Sequence, residues 1–146
     1  MYPSSRFAVA VHVLTVLAWK KEEPIKSERL AESVRTNPVV IRRILCALHR
    51  AELVISQTGA AGGSRLARPP GRITLLDVYR AVAGGDVFGL HHKPPSRRCL
   101  VGSHIETVLG GVLDEANAAV ERVLARTTLE QVLLGIHASA AHPGKR

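Results

Sequence analysis

Residues 27–50 contain two short amphipathic segments, separated by a connection with room only for a tight turn. The first, Ser27 to Val34, is predicted to be a helix capped by Ser27, with Glu28 in the first turn, where the helix dipole favours an acid. A second helix is predicted to begin at Asn37-Pro38, because Asn is a good N-cap and Pro loses no hydrogen bond at the first helical position. Two helices joined by such a turn are typical of a helix-turn-helix.

The second of these helices has two chemically different faces. Aliphatic side chains recur at helical spacing and should be buried: Ile41, Ile44, Leu45 and Leu48. The opposite and flanking positions are mostly basic: Arg42, Arg43, Cys46, His49 and Arg50. This face suits the major groove of DNA, whose phosphates and base edges accept hydrogen bonds. Cys46 is expected to pack at the helix edge.

A β-hairpin is predicted directly after this helix. Residues 53–58 are a β-branched run typical of a strand, and residues 64–67 return as a second strand. The glycines of the intervening Gly59–Gly63 segment permit positive φ in a tight turn. A hairpin in this place is a wing. The loop has no Gly-Lys-Ser/Thr ending and no GxGxxG pattern, which argues against a phosphate cradle for a nucleotide.

Further helices are predicted on both sides of this motif. An apolar helix from Ser4 or Ser5 to Trp19 should be covered on several sides. Residues 73–85 predict a helix that Thr74 caps and that Gly84-Gly85 terminates. A long helix is expected from about Ser103 to Arg126. A short helix over residues 129–138, capped by Thr127 or Thr128, and a frayed tail should follow.

The long helix carries apolar residues at spacings of four and three, as in a coiled-coil seam. The members of this seam are Ile105, Leu109, Val112, Ala116, Ala119 and Val123. Gly110-Gly111 inside it costs roughly 1 kcal/mol per residue relative to Ala, so either the helix breaks there or the glycines let another backbone come close. The seam predicts a homodimer that reads two-fold DNA sites. The alternative is that it packs on its own domain.

The net charge of +8 is concentrated on the helix-turn-helix and the wing. Residues 20–72 contain eleven Lys/Arg and five Asp/Glu, whereas residues 73–146 contain eight and seven. Neutralising DNA phosphates needs such an arrangement. Aromatic residues make up only 3% of the chain, which argues against stacking of single-stranded nucleic acid. No nucleophile elbow, paired carboxylates or Ser/His/Asp pattern is present, so no enzymatic activity is expected. A protein-binding winged helix is an alternative, but it would not need these arginines.

The predicted fold is mainly α with a small β-hairpin wing. A winged helix-turn-helix is predicted over residues 1–83, a sensor-type loop over 84–102, and the dimerisation and C-terminal helices over 103–138. The apolar run Phe7–Trp19 is shorter than the roughly 20 residues that span a bilayer, so no membrane partner is expected. Two cysteines give no disulfide framework, which favours a cytoplasmic location.

In this order of elements the chain resembles the Rrf2 family of bacterial winged-helix transcription regulators, over roughly residues 2–137. The motifs that carry the resemblance are LAESV, NPVVIRRIL, A-x-LV, the wing glycines, LARPP, ITLLDVYRAV and CLVG. The family implies homodimers that bind palindromic promoter DNA, mostly as repressors. It also implies DNA contacts from the start of the second helix and from the wing, here Val39, Val40, Arg42, Arg43, Thr58, Gly59 and Arg65.

Two positions depart from the family pattern. Many members have an acidic residue in the place of Arg42 and an arginine in the place of Thr58. Arg42 would favour guanine, through its O6 and N7 atoms. The operator sequence of relatives therefore does not transfer to this chain.

The best-studied members of the family hold an iron–sulfur cluster with three cysteines in the loop before the long helix. This loop has only Cys99, and a cluster normally needs four ligands, so no cofactor is expected and the chain resembles the cluster-free subgroup. Arg97 and Arg98 favour the reactive thiolate, which makes Cys99 a candidate redox sensor; the alternative is a small packing residue. A metal-responsive site would use His91, His92, Cys99 and His104, in a spacing that matches no standard zinc or copper site. The effector is not predicted.

Overall fold

The computed structural model describes residues 3–142 and residue 144, without the side chains of Pro3 and Ser4. This part of the chain is mainly helical and has one antiparallel hairpin, as predicted. Its elements are α1 (Pro3–Trp19), α2 (Ser27–Val34), α3 (Pro38–Arg50), β1 (Val54–Gln57), β2 (Gly63–Leu66), a short 3₁₀ helix (Pro70–Arg72), α4 (Leu75–Val82), α5 (Leu100–Ala125) and α6 (Leu129–Ala141). None of the helices in the described residues has the length and hydropathy needed to cross a lipid bilayer.

The chain forms two compact units. The first contains the chain up to Gly84 and again from Leu124 onward, and the second contains Gly85–Val123. The domains predicted from the sequence followed chain order, whereas here α6 belongs to the same unit as α1 to α4. Three residues of the expected frayed tail, Pro143, Lys145 and Arg146, lie outside the described residues, and α6 extends to Ala141.

The core of the first unit forms around α1. This helix packs against α2, α3, α4, α6 and β2, as expected for a helix that is apolar nearly all round. The four aliphatic residues predicted to form the inner stripe of α3 are all buried. The largest fully buried side chains of the unit include Leu14, Leu17, Leu30, Ile41, Ile44, Leu48, Leu53, Ile73 and Leu129.

The turn between α2 and α3 is held by backbone and side-chain hydrogen bonds. Arg35 ends α2 in the left-handed conformation, with φ 61° and ψ 52°, and the Thr36 N–H donates to the Ala31 carbonyl over 3.0 Å. Asn37 Oδ1 accepts from the Val39 N–H at 2.8 Å, which confirms Asn37 as the N-cap of α3. A turn of this kind fixes the direction in which α3 starts.

The predicted cap of α2 is wrong. Lys26 is the N-cap residue and makes no side-chain cap hydrogen bond, while Ser27 is the first helical residue. The Ser27 hydroxyl lies 3.4 Å from Glu28 Oε2. The start of α2 is fixed instead through its neighbour Ile25, whose backbone pairs with the wing.

The wing is a two-stranded sheet in which Val54 faces Leu66 and Gln57 faces Gly63. Ile25 adds a third, single-residue rung, because its N–H and carbonyl each bond to Ser64 at 2.9 Å. Gly63 (φ +155°) makes this approach possible, since a Cβ there would lie 2.6 Å from the Ile25 carbonyl carbon. The wing is therefore joined to the residue that leads into α2.

Two capping boxes start α4 and α6. Thr74 exchanges hydrogen bonds with Asp77, and Thr128 with Gln131, as predicted for the two threonine caps. The two helix starts also pair with each other: the Leu75 N–H donates to the Thr127 carbonyl at 2.9 Å, and the Leu129 N–H to the Ile73 carbonyl at 2.8 Å. Of the inner residues predicted for α4, Val78 and Val82 are buried, and Leu75 and Tyr79 are half-buried. Gly84, with φ +69°, follows the helix as its predicted terminator.

The second unit consists of an irregular segment and α5. The helix starts at Leu100, three residues earlier than expected, and runs unbroken through Gly110-Gly111. The break considered from the sequence is therefore wrong. The irregular segment is tied to the helix, because the Asn117 side chain accepts from the Phe88 N–H and donates to the Phe88 carbonyl, both at 3.1 Å.

No residue of α5 is buried. Of the six residues predicted to form the seam, Val112 and Val123 are more than half exposed, and the other four are half-buried. Leu100, Val101 and Val108 are also more than half exposed. The helix thus presents an uncovered apolar surface that includes part of the predicted seam and extends it toward the helix start.

Candidate nucleic-acid interface

One side of the exposed face of α3 borders a groove. Arg42, Cys46, His49 and Arg50 follow one another at helical spacing along this side. The start of α2 and the wing close the groove with polar groups from Lys26, Ser27, Ser56, Gln57 and Ser64. Its volume is about 920 Å³. The walls of the groove therefore come from all three parts of the winged helix-turn-helix.

The other side of the same face borders a smaller depression of about 400 Å³. It is lined by Val39 and Arg43 of α3, together with Arg6 of α1. Arg42, Cys46 and Arg50 lie between the two depressions and line both. The sequence reasoning assigned no role to Arg6, which lies near the start of the apolar helix α1.

The structure places most of the predicted contact residues on the exposed surface. Arg42 and Arg43 are exposed, as are Thr58 and Gly59 at the wing turn, and Val39 is 47% exposed at the start of α3. Arg65 is half-buried and pairs with exposed Ile55 in the hairpin. Val40 is different, because it packs partly against the hydrophobic core. Val39 is therefore the more accessible of the two valines.

Arg42 is paired with an acid from α2. Its Nη2 donates to Glu28 Oε1 at 2.6 Å, and the two side chains are 54% and 56% exposed. The pKa of Glu28 is lowered, first by a hydrogen bond from its own backbone N–H and then by the Arg42 side chain. The two residues are fourteen positions apart, so no local pattern pointed to this pair.

Cys46 lies one helical turn after Arg42 and is exposed as a free thiol. The prediction that it packs at the helix edge is therefore wrong. The buried stripe of α3 leaves position 46 outside, and the side chain lines both depressions. A thiol consequently lies among the arginines of the exposed face.

The loop residues proposed for sensing do not form a metal site. Cys99 is a free, exposed thiol, and its carbonyl accepts from the Ser103 N–H at 2.9 Å in the first turn of α5. His104 Nδ1 lies 2.9 Å from the Leu100 carbonyl. Within residues 3–142 and 144, no three His, Cys, Asp or Glu side chains gather closely enough to hold a metal ion. Cys99 is the one cysteine in the range Gly85–Val123, the second unit.

Comparisons with known proteins agree with this geometry. The Rrf2 family model, described as an iron-dependent transcriptional regulator, matches residues 3–134. The chain is 38% identical over 130 residues to YwnA, a proposed HTH-type transcriptional regulator of Bacillus subtilis (strain 168), covering 89% of this chain and 96% of YwnA. A crystal structure of a proposed DNA-binding protein is 36% identical, with a TM-score of 0.71 and coverage of 88% of this chain and 98% of that one.

The fold is also found at lower identity. CymR, the global cysteine regulator of B. subtilis, is 24% identical, with a TM-score of 0.67 and coverage of 91% of this chain and 96% of its own. At that identity the likeness concerns the fold alone. The family model, in contrast, covers most of the chain. In this chain the winged helix-turn-helix exposes the arginines of α3. The chain belongs to the Rrf2 family of DNA-binding transcriptional regulators.

Proposed function

We propose that this regulator is a homodimeric repressor that binds a palindromic promoter site. The observation that carries the proposal is the exposed face of α3, where Arg42, Arg43 and Arg50 stand together and border the two depressions. Arg6 and Lys26 extend the positive charge onto the neighbouring elements. Cations spread over adjoining elements suit DNA, because a groove presents bases with phosphates on both sides.

The wing has a different part in this proposal. Its turn carries small, uncharged side chains, with Thr58 and Gly59 followed by Ala60 and Ala61. Because the wing turn carries no cationic side chain, the negative potential of a minor groove attracts it only weakly. Its exposed backbone can still approach a phosphate, so we assign it to the DNA backbone and the base reading to α3.

Dimerisation would cover the apolar surface of α5. Val101, Val108, Val112 and Val123 are each more than half exposed, which is unusual for aliphatic residues on one helix of a lone protomer. Gly111 has no heavy atom within 4 Å of a Cβ built on it, so a second backbone has room there. Two copies joined in this way would present two α3 helices to two half-sites.

Loop chemistry and cell location complete the proposal. We propose that the protein acts by binding and not by catalysis, and that it works in the cytoplasm. We also propose that it needs no iron–sulfur cluster, because Cys99 has no companion cysteines in its unit. We retain Cys99 as the candidate thiol sensor, since it is exposed in the segment that precedes α5. Peroxide treatment should then change DNA affinity in the wild type and not in Cys99→Ser.

Fluorescence anisotropy with the upstream region of its own gene tests the function. Binding to that DNA should exceed binding to a random duplex of equal length, and both should weaken steeply with salt. Arg43→Ala should weaken specific binding, whereas Arg126→Ala, the same charge change between α5 and α6, should have little effect. A protein that binds neither DNA at low salt would instead be a protein-interaction module. Equal losses for both variants would place the DNA-contacting face elsewhere.

A further inference from the structure

The ion pair between Glu28 and Arg42 lies inside the proposed DNA-contacting groove, where both residues contribute to the lining. We propose that Glu28 is a positioning residue, which holds Arg42 for contact with a base and prevents it from acting as a phosphate contact. This inference rests on the proposed function. It concerns what selects the DNA sequence, and not whether the protein binds DNA.

The geometry leaves the guanidinium partly free. Glu28 Oε1 takes one hydrogen bond from Nη2, so Nη1, Nε and the second hydrogen of Nη2 have no acceptor among the described residues. Guanine is read by an arginine that donates two hydrogen bonds at once, to O6 and N7. An arginine that is already anchored loses less side-chain freedom when it makes these bonds.

The negative charge of Glu28 allows Arg42 to discriminate between a base and a phosphate. Glu28 is negatively charged near neutral pH, since its ordinary pKa of 4.5 lies well below 7 and the hydrogen bonds from its own N–H and from Arg42 lower the pKa further. A phosphate that approached Arg42 would meet the carboxylate at close range and be repelled. The acceptor atoms of guanine carry no formal charge, so the same carboxylate penalises them far less.

A purely structural role is the competing explanation, since the pair joins α2 to α3. Half-exposed pairs contribute little to stability, however, and the two helices are already joined by the Asn37-capped turn and by buried Leu30 and Ile41. A structural role predicts altered stability without altered sequence preference. Positioning predicts an altered sequence preference, whatever small change in stability accompanies it.

A double-mutant cycle with Glu28→Gln and Arg42→Ala tests the proposal on random and promoter DNA. Arg42→Ala alone should leave the salt dependence on random DNA unchanged, because the paired arginine neutralises no phosphate. Glu28→Gln should steepen the slope of log K against log salt concentration by about 0.9, the value of one additional phosphate contact. Adding Arg42→Ala to Glu28→Gln should restore the original slope. Each single variant should lower the ratio of promoter to random affinity by about tenfold, the value of a good base contact.

Glu32→Gln is the matched control, because Glu32 lies one turn further along α2 and is exposed, while the ion pair of Arg42 is with Glu28. It should change neither slope nor ratio. Arg42→Lys, which keeps the charge and removes the planar fork, should lose the discrimination as fully as Arg42→Ala. Circular dichroism verifies that each variant is folded. Additive effects in the cycle, or a lowered slope for Arg42→Ala alone, would overturn the inference. A wild type without promoter preference would instead overturn the proposed function.

Discussion

Replacing Gly63 with alanine tests how the wing is attached to the rest of the protein. A Cβ on Gly63 would lie 2.6 Å from the Ile25 carbonyl carbon, 2.7 Å from its oxygen and 2.8 Å from its nitrogen. These neighbours are backbone atoms, so no side-chain rotation relieves the overlap. The wing or the segment before α2 must move, and the Ile25–Ser64 rung must open.

The size of the effect follows from the contacts that would be lost. The rung contains two hydrogen bonds of 2.9 Å, each with a net contribution of about 1 kcal/mol. If the rung instead stays intact, alanine is held in an unfavourable backbone conformation, which costs about 1–3 kcal/mol. Whichever way the structure relaxes, the free energy of unfolding should fall by about 1–3 kcal/mol, a large fraction of the roughly 5–15 kcal/mol typical of proteins.

Urea denaturation followed by circular dichroism measures this loss. Gly89→Ala is the matched control, because a Cβ there meets no atom within 4 Å and its φ is not positive, so its stability should stay within about 0.5 kcal/mol of wild type. Hydrogen exchange at the Ile25 and Ser64 amides reports the rung directly. If Gly63→Ala is as stable as the control and both amides stay protected, the proposed attachment of the wing is incorrect.

Four further perturbations have defined outcomes. Asn37→Ala should lower the free energy of unfolding by about 1 kcal/mol in urea denaturation, because it removes the cap of α3, and Asn37→Asp should not; equal losses would contradict the capping role. Gly111→Ala should raise helix stability by about 1 kcal/mol in a monomer and weaken a dimer that packs there, so unchanged self-association in sedimentation would move the interface elsewhere. N-ethylmaleimide should block DNA binding mainly through Cys46, so Cys46→Ser should retain more DNA binding after treatment than Cys99→Ser; a resistant wild type would place the Cys46 thiol outside the DNA contact. The pKa of Glu28 is lowered on folding. The stability that its charge contributes is therefore present above pH 4.5, its ordinary pKa, and is lost as the pH falls through the lower pKa of the folded protein. A stability difference between wild type and Glu28→Gln that persists at still lower pH would refute this assignment.

The features that could be predicted from the sequence are those that short-range chemistry determines. The buried stripe of α3 follows from helical periodicity, and the caps at Asn37, Thr74 and Thr128 depend on residues within a few positions. The hairpin followed from a β-branched run and its glycines. The family pattern then assigned a function to the exposed face of α3.

The features that could not be predicted depend on contacts between distant residues. Glu28 reaches Arg42 only because the turn brings the start of α2 against α3. Ser27 resembled a cap, but it is the first helical residue, and Lys26, next to the Ile25 rung, occupies the cap position. Cys46 was placed on the outer face of α3 but was expected to pack at the helix edge, whereas its thiol is exposed.

The pairing between the starts of α4 and α6 makes Gly85–Val123 a topological insertion. The chain leaves the first unit after Gly84 and returns at Leu124, and the Ile73–Leu129 and Leu75–Thr127 hydrogen bonds join the two flanks. Closing a flexible loop becomes harder only slowly with length, by about 0.6 kcal/mol for each doubling. The inserted segment can therefore change its sequence without a change in the fold of the first unit. The chemistry around Cys99 is in this sense separable from the winged helix-turn-helix.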